Sequence, residues 1–105
     1  MPFYIYILHS EKANKCYVGY SEDPWKRLTE HNTVEHSTYT SKCRPWQLKA
    51  VFYIGENESG AIKIERFIKK QKSRLLLENL INPQFQPTNI LAQLVRVPIY
   101  RINRP

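Results

Sequence analysis

The sequence predicts an α+β domain, a small three-stranded antiparallel sheet flanked by helices in the order β-β-α-β-α-α. Three observations carry that prediction. Two β-branched and aromatic runs, residues 3–8 and 16–20, stand either side of a polar stretch, as in an antiparallel hairpin. A third such run, residues 48–54, ends at Gly55. Between and after these runs lie three segments with helix-capping residues and helical spacing of apolar positions. At 105 residues the chain fits one domain with a modest core.

Taken in order, the hairpin is followed by Asp23-Pro24, an N-cap and a proline at the first helical position. Trp25, Leu28 and His31 or Asn32 then recur at helical spacing, which places the first helix over residues 24–32. Residues 33–46 are polar and aperiodic with a proline at 45, hence a loop, and it carries Tyr39, Lys42, Arg44 and Trp46. After the third strand, Glu58-Ser59-Gly60 opens a second helix that runs to about Lys70. Ser73 caps a third, which carries Leu75, Leu76, Leu77, Leu80 and Ile81 and stops before Asn82-Pro83. Residues 1–82 are therefore assigned to the domain and residues 83–105 to an extension. That extension has four prolines, no acidic residue and Arg96, Arg101 and Arg104. Its apolar stretch, 90–97, adds a strand or a helix, and the pattern fixes neither.

Lysine and arginine outnumber aspartate and glutamate by 16 to 9, a net charge of +7. A surplus of that size favours a polyanionic partner through long-range attraction and counterion release. No apolar run approaches the roughly 20 residues of a membrane span, and Met1-Pro2-Phe3-Tyr4 lacks the features of a signal peptide. The expectation is a cytoplasmic, nucleoid-associated protein that does not engage membrane. Cys16 and Cys43 have no second Cys or His at metal-finger spacing and read as small hydrophobes with free thiols.

Strand parity defines where chemistry can sit. Phe3, Ile5 and Ile7 share one face of the first strand, and Tyr4, Tyr6 and Leu8 the other. Any register that keeps Cys16, Val18 and Tyr20 with the first set puts Tyr6 and Tyr17 on one face, and direct pairing of these two leaves a hairpin loop of six residues. Arg27 and His31 are four apart and project from one side of the first helix. Glu65 lies at the edge of the packing face of the second helix. Lys63, Arg66, Lys69, Lys70, Lys72 and Arg74 surround it, and with Lys42 and Arg44 of the loop they form the expected nucleic-acid-binding set. Each feature alone has an ordinary packing or surface explanation, and the combination carries the argument.

That combination resembles the GIY-YIG nucleases. Tyr4-Ile5-Tyr6, ten intervening residues, Tyr17-Val18-Gly19, then Arg27, His31 and Glu65 follow the family's order, with Tyr4 at the place of the first motif's glycine. The chain is most similar to small stand-alone members like the nuclease domain of the nucleotide excision repair incision subunit. The loop around Tyr39-Thr40-Ser41-Lys42 and Arg44-Pro45-Trp46 adds to the likeness, which covers residues 3–82. The resemblance implies a metal-dependent endonuclease acting on nucleic acid, with DNA the expected partner, low sequence specificity and a repair or recombination role. It implies Tyr6, Tyr17, Arg27, His31 and Glu65 as the catalytic set, with one Mg²⁺ or Mn²⁺ on Glu65. Arg27 would contact the scissile phosphate. Tyr17 or Tyr6, phenols of reference pKa ~10, would serve as base, and sequence ranks neither above the other. The alternative is a noncatalytic nucleic-acid-binding module with the same fold.

Overall fold

Alternating side-chain parity builds the centre of the molecule. β1 (Phe3–Ser10) pairs antiparallel with β2 (Lys15–Ser21) on one side and β3 (Trp46–Gly55) on the other, and β4 (Val95–Val97) pairs with β3. The sheet order is β2-β1-β3-β4. Three helices complete the order: α1 (Pro24–Thr33) after β2, then α2 (Glu58–Gln71) and α3 (Arg74–Ile81) after β3. The computed structural model describes residues 1–33 and 42–99. The loop residues Tyr39, Thr40 and Ser41 and the tail residues Arg101 and Arg104 lie outside the described residues.

The α+β class and the order of the first six elements follow the sequence expectation, but among the described residues the sheet has four strands, not three. The fourth comes from the tail, where a 3-10 turn, Asn89–Gln93, buries Leu91 and delivers Val95–Val97 to the edge of β3. A three-residue strand is too short to show alternation, so no sequence period announces it. Arg96 then lies 4.8 Å over the Phe52 ring and donates to the carbonyls of Leu80 and Asn82 at the end of α3.

The hairpin register also differs from direct Tyr6–Tyr17 pairing. Tyr6 opposes Gly19 and Tyr17 opposes Leu8, a shift of two that leaves every side chain on its expected face. Ser10 pairs with Lys15, so the loop is four residues, closed by Asn14 at φ 51° with its N–H on the Glu11 carbonyl. Asparagine tolerates that left-handed conformation. Ser10 fixes the shorter loop by accepting from Ala13 N–H while its hydroxyl donates to the Cys43 carbonyl.

Both faces of the sheet are covered. Ile5, Ile7, Val18, Ala50 and Phe52 pack with Ile64 and Ile68 of α2, Leu80 of α3, and Leu91 and Leu94 of the tail. Full burial of each of the larger side chains, Ala50 excepted, contributes roughly 1.5–3 kcal/mol. On the other face Tyr6, Leu8 and Val51 pack with Trp46, Cys43 and the α1 residues Trp25 and Leu28. A bulge after Leu48 switches the parity of β3, which is why Leu48 and Val51 both reach this second core. Tyr4 fills the space between Trp25 and Tyr53, edge-on to both at centroid distances of 6.0 and 5.9 Å.

Helix ends lock the elements that bear on chemistry. Asp23 Oδ1 accepts from Lys26 N–H, the predicted cap of α1. At the far end Asn32 exchanges two hydrogen bonds with the Trp46 backbone, 3.0 and 2.6 Å, while Arg44 Nε donates to the His31 carbonyl. Asn57, one residue before the expected start, caps α2, and Ser73 caps α3 as the sequence predicts.

Candidate active site

A pocket of about 400 Å³ opens beside β2, an edge strand, lined by residues of β1, β2, α1 and α2. Tyr6, Tyr17, Arg27 and Glu65 line it. Four of the five expected catalytic side chains, drawn from four elements, therefore meet. His31 sits beside both tyrosines, its ring 4.7 Å from that of Tyr17 and 6.3 Å from that of Tyr6.

Tyr6 is 1 % exposed, and its phenol lies directly over Gly19. A Cβ at Gly19 would stand 2.7 Å from Tyr6 Cζ and 2.7 Å from its hydroxyl, inside van der Waals contact, so the ring would have to shift. Sequence reasoning gave Gly19 no role beyond its place in the motif. Gly19→Ala is expected to lower stability by about 1–3 kcal/mol, the usual cost of overpacking. It should also push the Tyr6 hydroxyl off His31. Urea unfolding and the near-ultraviolet tyrosine spectrum of the variant check this, and a wild-type midpoint would contradict it.

The Tyr6 hydroxyl lies 3.3 Å from His31 Nε2 and faces the Arg27 guanidinium. Burial pushes the phenol up to about 12, outweighing the opposing pull of Arg27, so Tyr6 keeps its proton at neutral pH. Burial first, and Arg27 second, lower the imidazole of His31. Its ring is thus neutral at pH 7, and with the proton on Nδ1 its Nε2 accepts from Tyr6. Arg27 Nη1 is 2.7 Å from Glu30 Oε1, an (i, i+3) pair that holds the guanidinium along α1.

From the opposite face α2 supplies Glu65, whose side chain is 17 % exposed and 3.7 Å from Lys69 Nζ. Lys69 also lies 5.5 Å from the Tyr17 ring centroid. Glu58, two turns before Glu65 on the same flank, joins Glu22 in adding carboxylates to the pocket and accepts from the Tyr20 hydroxyl at 3.0 Å. That seven-residue spacing was the available signal for Glu58. The pocket's carboxylate and phenol oxygens are hard donors of the kind Mg²⁺ and Mn²⁺ prefer. Among the described residues no three His, Cys, Asp or Glu side chains form a closed metal cage. A cation on Glu65 would therefore keep most of its waters, a coordination that suits Mg²⁺.

The expected nucleic-acid-binding set is dispersed. Lys69 and Lys72 line a second cleft together with Arg74, which also donates to Asn14 across the hairpin loop. Arg66 is exposed one step around α2 from Glu65, whereas Lys63 and Lys70 occupy the opposite side of the helix. Lys42 is exposed, and Arg44 is half-buried against the end of α1.

Comparison with known proteins agrees with this geometry. The chain is 33% identical over 70 residues to the structure-specific endonuclease subunit SLX1 of Cryptococcus neoformans, a stretch covering 61% of this chain and 14% of that protein. The same subunit from Malassezia globosa is 33% identical over 63 residues, covering 57% and 14%. UPF0213 protein SSP2268 of Staphylococcus saprophyticus is 35% identical over 81 residues, covering 71% of this chain and 94% of its own length. The chain thus spans a small part of the SLX1 relatives and nearly all of the staphylococcal one. The GIY-YIG catalytic domain matches residues 2–81, which takes in every strand and helix around the pocket, and the chain belongs to the GIY-YIG nuclease family.

Proposed function

We propose that the chain is a divalent-metal-dependent endonuclease that hydrolyses phosphodiester bonds in DNA, choosing substrate by shape with little reading of base sequence. The observation that carries this is the convergence of Tyr6, Tyr17, Arg27 and Glu65 on one open pocket. The SLX1 relatives are named structure-specific endonuclease subunits, which favours branched or interrupted duplex as substrate and a repair or recombination role. The basic composition suits a DNA partner, and a cytoplasmic, nucleoid-associated location follows from that partner.

The protein's own groups divide the work. Arg27 binds the scissile phosphate and offsets charge in the pentacoordinate transition state through its planar fork of donors. Tyr17 relays protons, accepting one from the attacking water while passing its own hydroxyl proton to solvent in the open pocket; Tyr6, held protonated by burial, serves as a hydrogen-bond donor and so is the weaker candidate for this role. His31 positions Tyr6 through the 3.3 Å hydrogen bond between its Nε2 and the Tyr6 hydroxyl. Glu65 would hold the cation, which when bound would supply Lewis-acid stabilisation at the leaving oxygen.

A labelled flapped duplex and a nicked plasmid, each incubated with Mg²⁺, Mn²⁺ or EDTA, test the reading. Cleavage is expected with either cation and not with EDTA, and Tyr17→Phe should slow it by about 10²–10⁴-fold while still binding. Binding without cleavage on every substrate would instead identify a noncatalytic nucleic-acid-binding module.

A further inference from the structure

A second cleft, of about 410 Å³, runs between β2 and the α2–α3 junction, next to the pocket described above. Lys15 from β2, Lys69 from α2, Lys72 from the junction and Arg74 from α3 line it. Val18, Ile68 and Leu77 form its apolar floor. The two cavities share Tyr17 as a wall, yet their charge differs. Glu22, Glu58 and Glu65 line the first beside Arg27, whereas the described lining of the second contains four cations and no carboxylate.

We propose that this cleft is a second nucleic-acid subsite, which holds the strand on one side of the scissile phosphate. The inference rests on the nuclease reading and adds a direction to it. A cleft with cations on its rim and an apolar floor suits a chain of phosphates joined by sugars and bases, because the charged rim pairs with phosphate while the floor covers an apolar face. Lys69 joins the two cavities, lining the cleft while lying 3.7 Å from Glu65. Only the flank of the strand that passes Tyr17 toward α3 gains these contacts, so the enzyme's footprint is lopsided about the cut.

The test compares two charge-matched double variants of the full chain. Lys15→Gln with Lys72→Asn removes two rim cations, asparagine suiting the left-handed φ of 49° at position 72. Lys12→Gln with Lys26→Gln removes two exposed cations elsewhere. Binding of a fluorescent flapped oligonucleotide is followed by anisotropy in EDTA across a salt series. The cleft pair should bind about tenfold more weakly, with a salt slope smaller by about 1.4, two phosphate contacts on a single strand, and the control pair should match wild type. In cleavage assays, trimming the labelled strand from one end should raise the wild-type KM and leave that of the cleft pair unchanged. Equal losses in both pairs, an unaffected cleft pair, or symmetric trimming effects would overturn the subsite while leaving the nuclease reading intact. If wild type binds no oligonucleotide at 50 mM salt, both fail.

Discussion

Arg27→Lys is expected to cut the rate of cleavage by about 10²–10³-fold at saturating substrate, the usual loss when one preorganised donor to a developing charge is removed. The charge survives the substitution but the fork does not: an ammonium presents a point charge, whereas the guanidinium can grip two phosphate oxygens at once. Geometry adds to the loss. Arg27 is held between Glu30, at 2.7 Å, and the Tyr6 hydroxyl, and lysine cannot bridge both while facing the pocket. Its side chain is 43% exposed and its ion pair lies at the surface, so the folded state should lose under about 1 kcal/mol. Substrate affinity should fall only modestly, because one phosphate contact among several is weakened. Single-turnover kinetics beside thermal unfolding distinguishes these effects. A kcat within threefold of wild type would remove Arg27 from the transition state.

Much of this site was legible because it is written in local rules. Side-chain alternation put Tyr6 and Tyr17 on one face, and that survived a register shift of two, since any even shift preserves the face. The shift itself was invisible for the same reason; it is set by Ser10 bonding to Ala13 and to Cys43, a residue 33 positions away. The caps Asp23 and Ser73 were readable because each bonds a backbone N–H three residues ahead. What sequence could not reveal is which carbonyls the arginines would meet. Arg44, Arg74 and Arg96 read as plain positive charge, yet each donates to a backbone carbonyl of a distant segment, two of them at helix ends. Gly19 belongs to the same class, because its requirement comes from the Tyr6 ring on the neighbouring strand.

Glu65→Gln is the most informative single change, for it keeps the shape of the side chain and removes only the charge. In the free protein that carboxylate faces Lys69 at 3.7 Å, an (i, i+4) pair with the lysine half-exposed, so its loss should cost under about 0.5 kcal/mol. The thermal midpoint should barely move. Nucleic-acid binding in EDTA should hold or tighten, because a negative charge has left a pocket meant for phosphate and Lys69 is released toward the cationic cleft it also lines. Cleavage should fall by about 10³-fold, the order expected when several kcal/mol of charge stabilisation at the leaving oxygen are lost. Binding of Mn²⁺, read by the loss of its free-ion electron paramagnetic resonance signal, should weaken in parallel. The two readouts separate the possible roles of the carboxylate. Lost cleavage with undiminished Mn²⁺ binding would move the cation to Glu58, the other carboxylate on the same flank of α2. Retained cleavage would show that neither the cation nor the chemistry depends on Glu65.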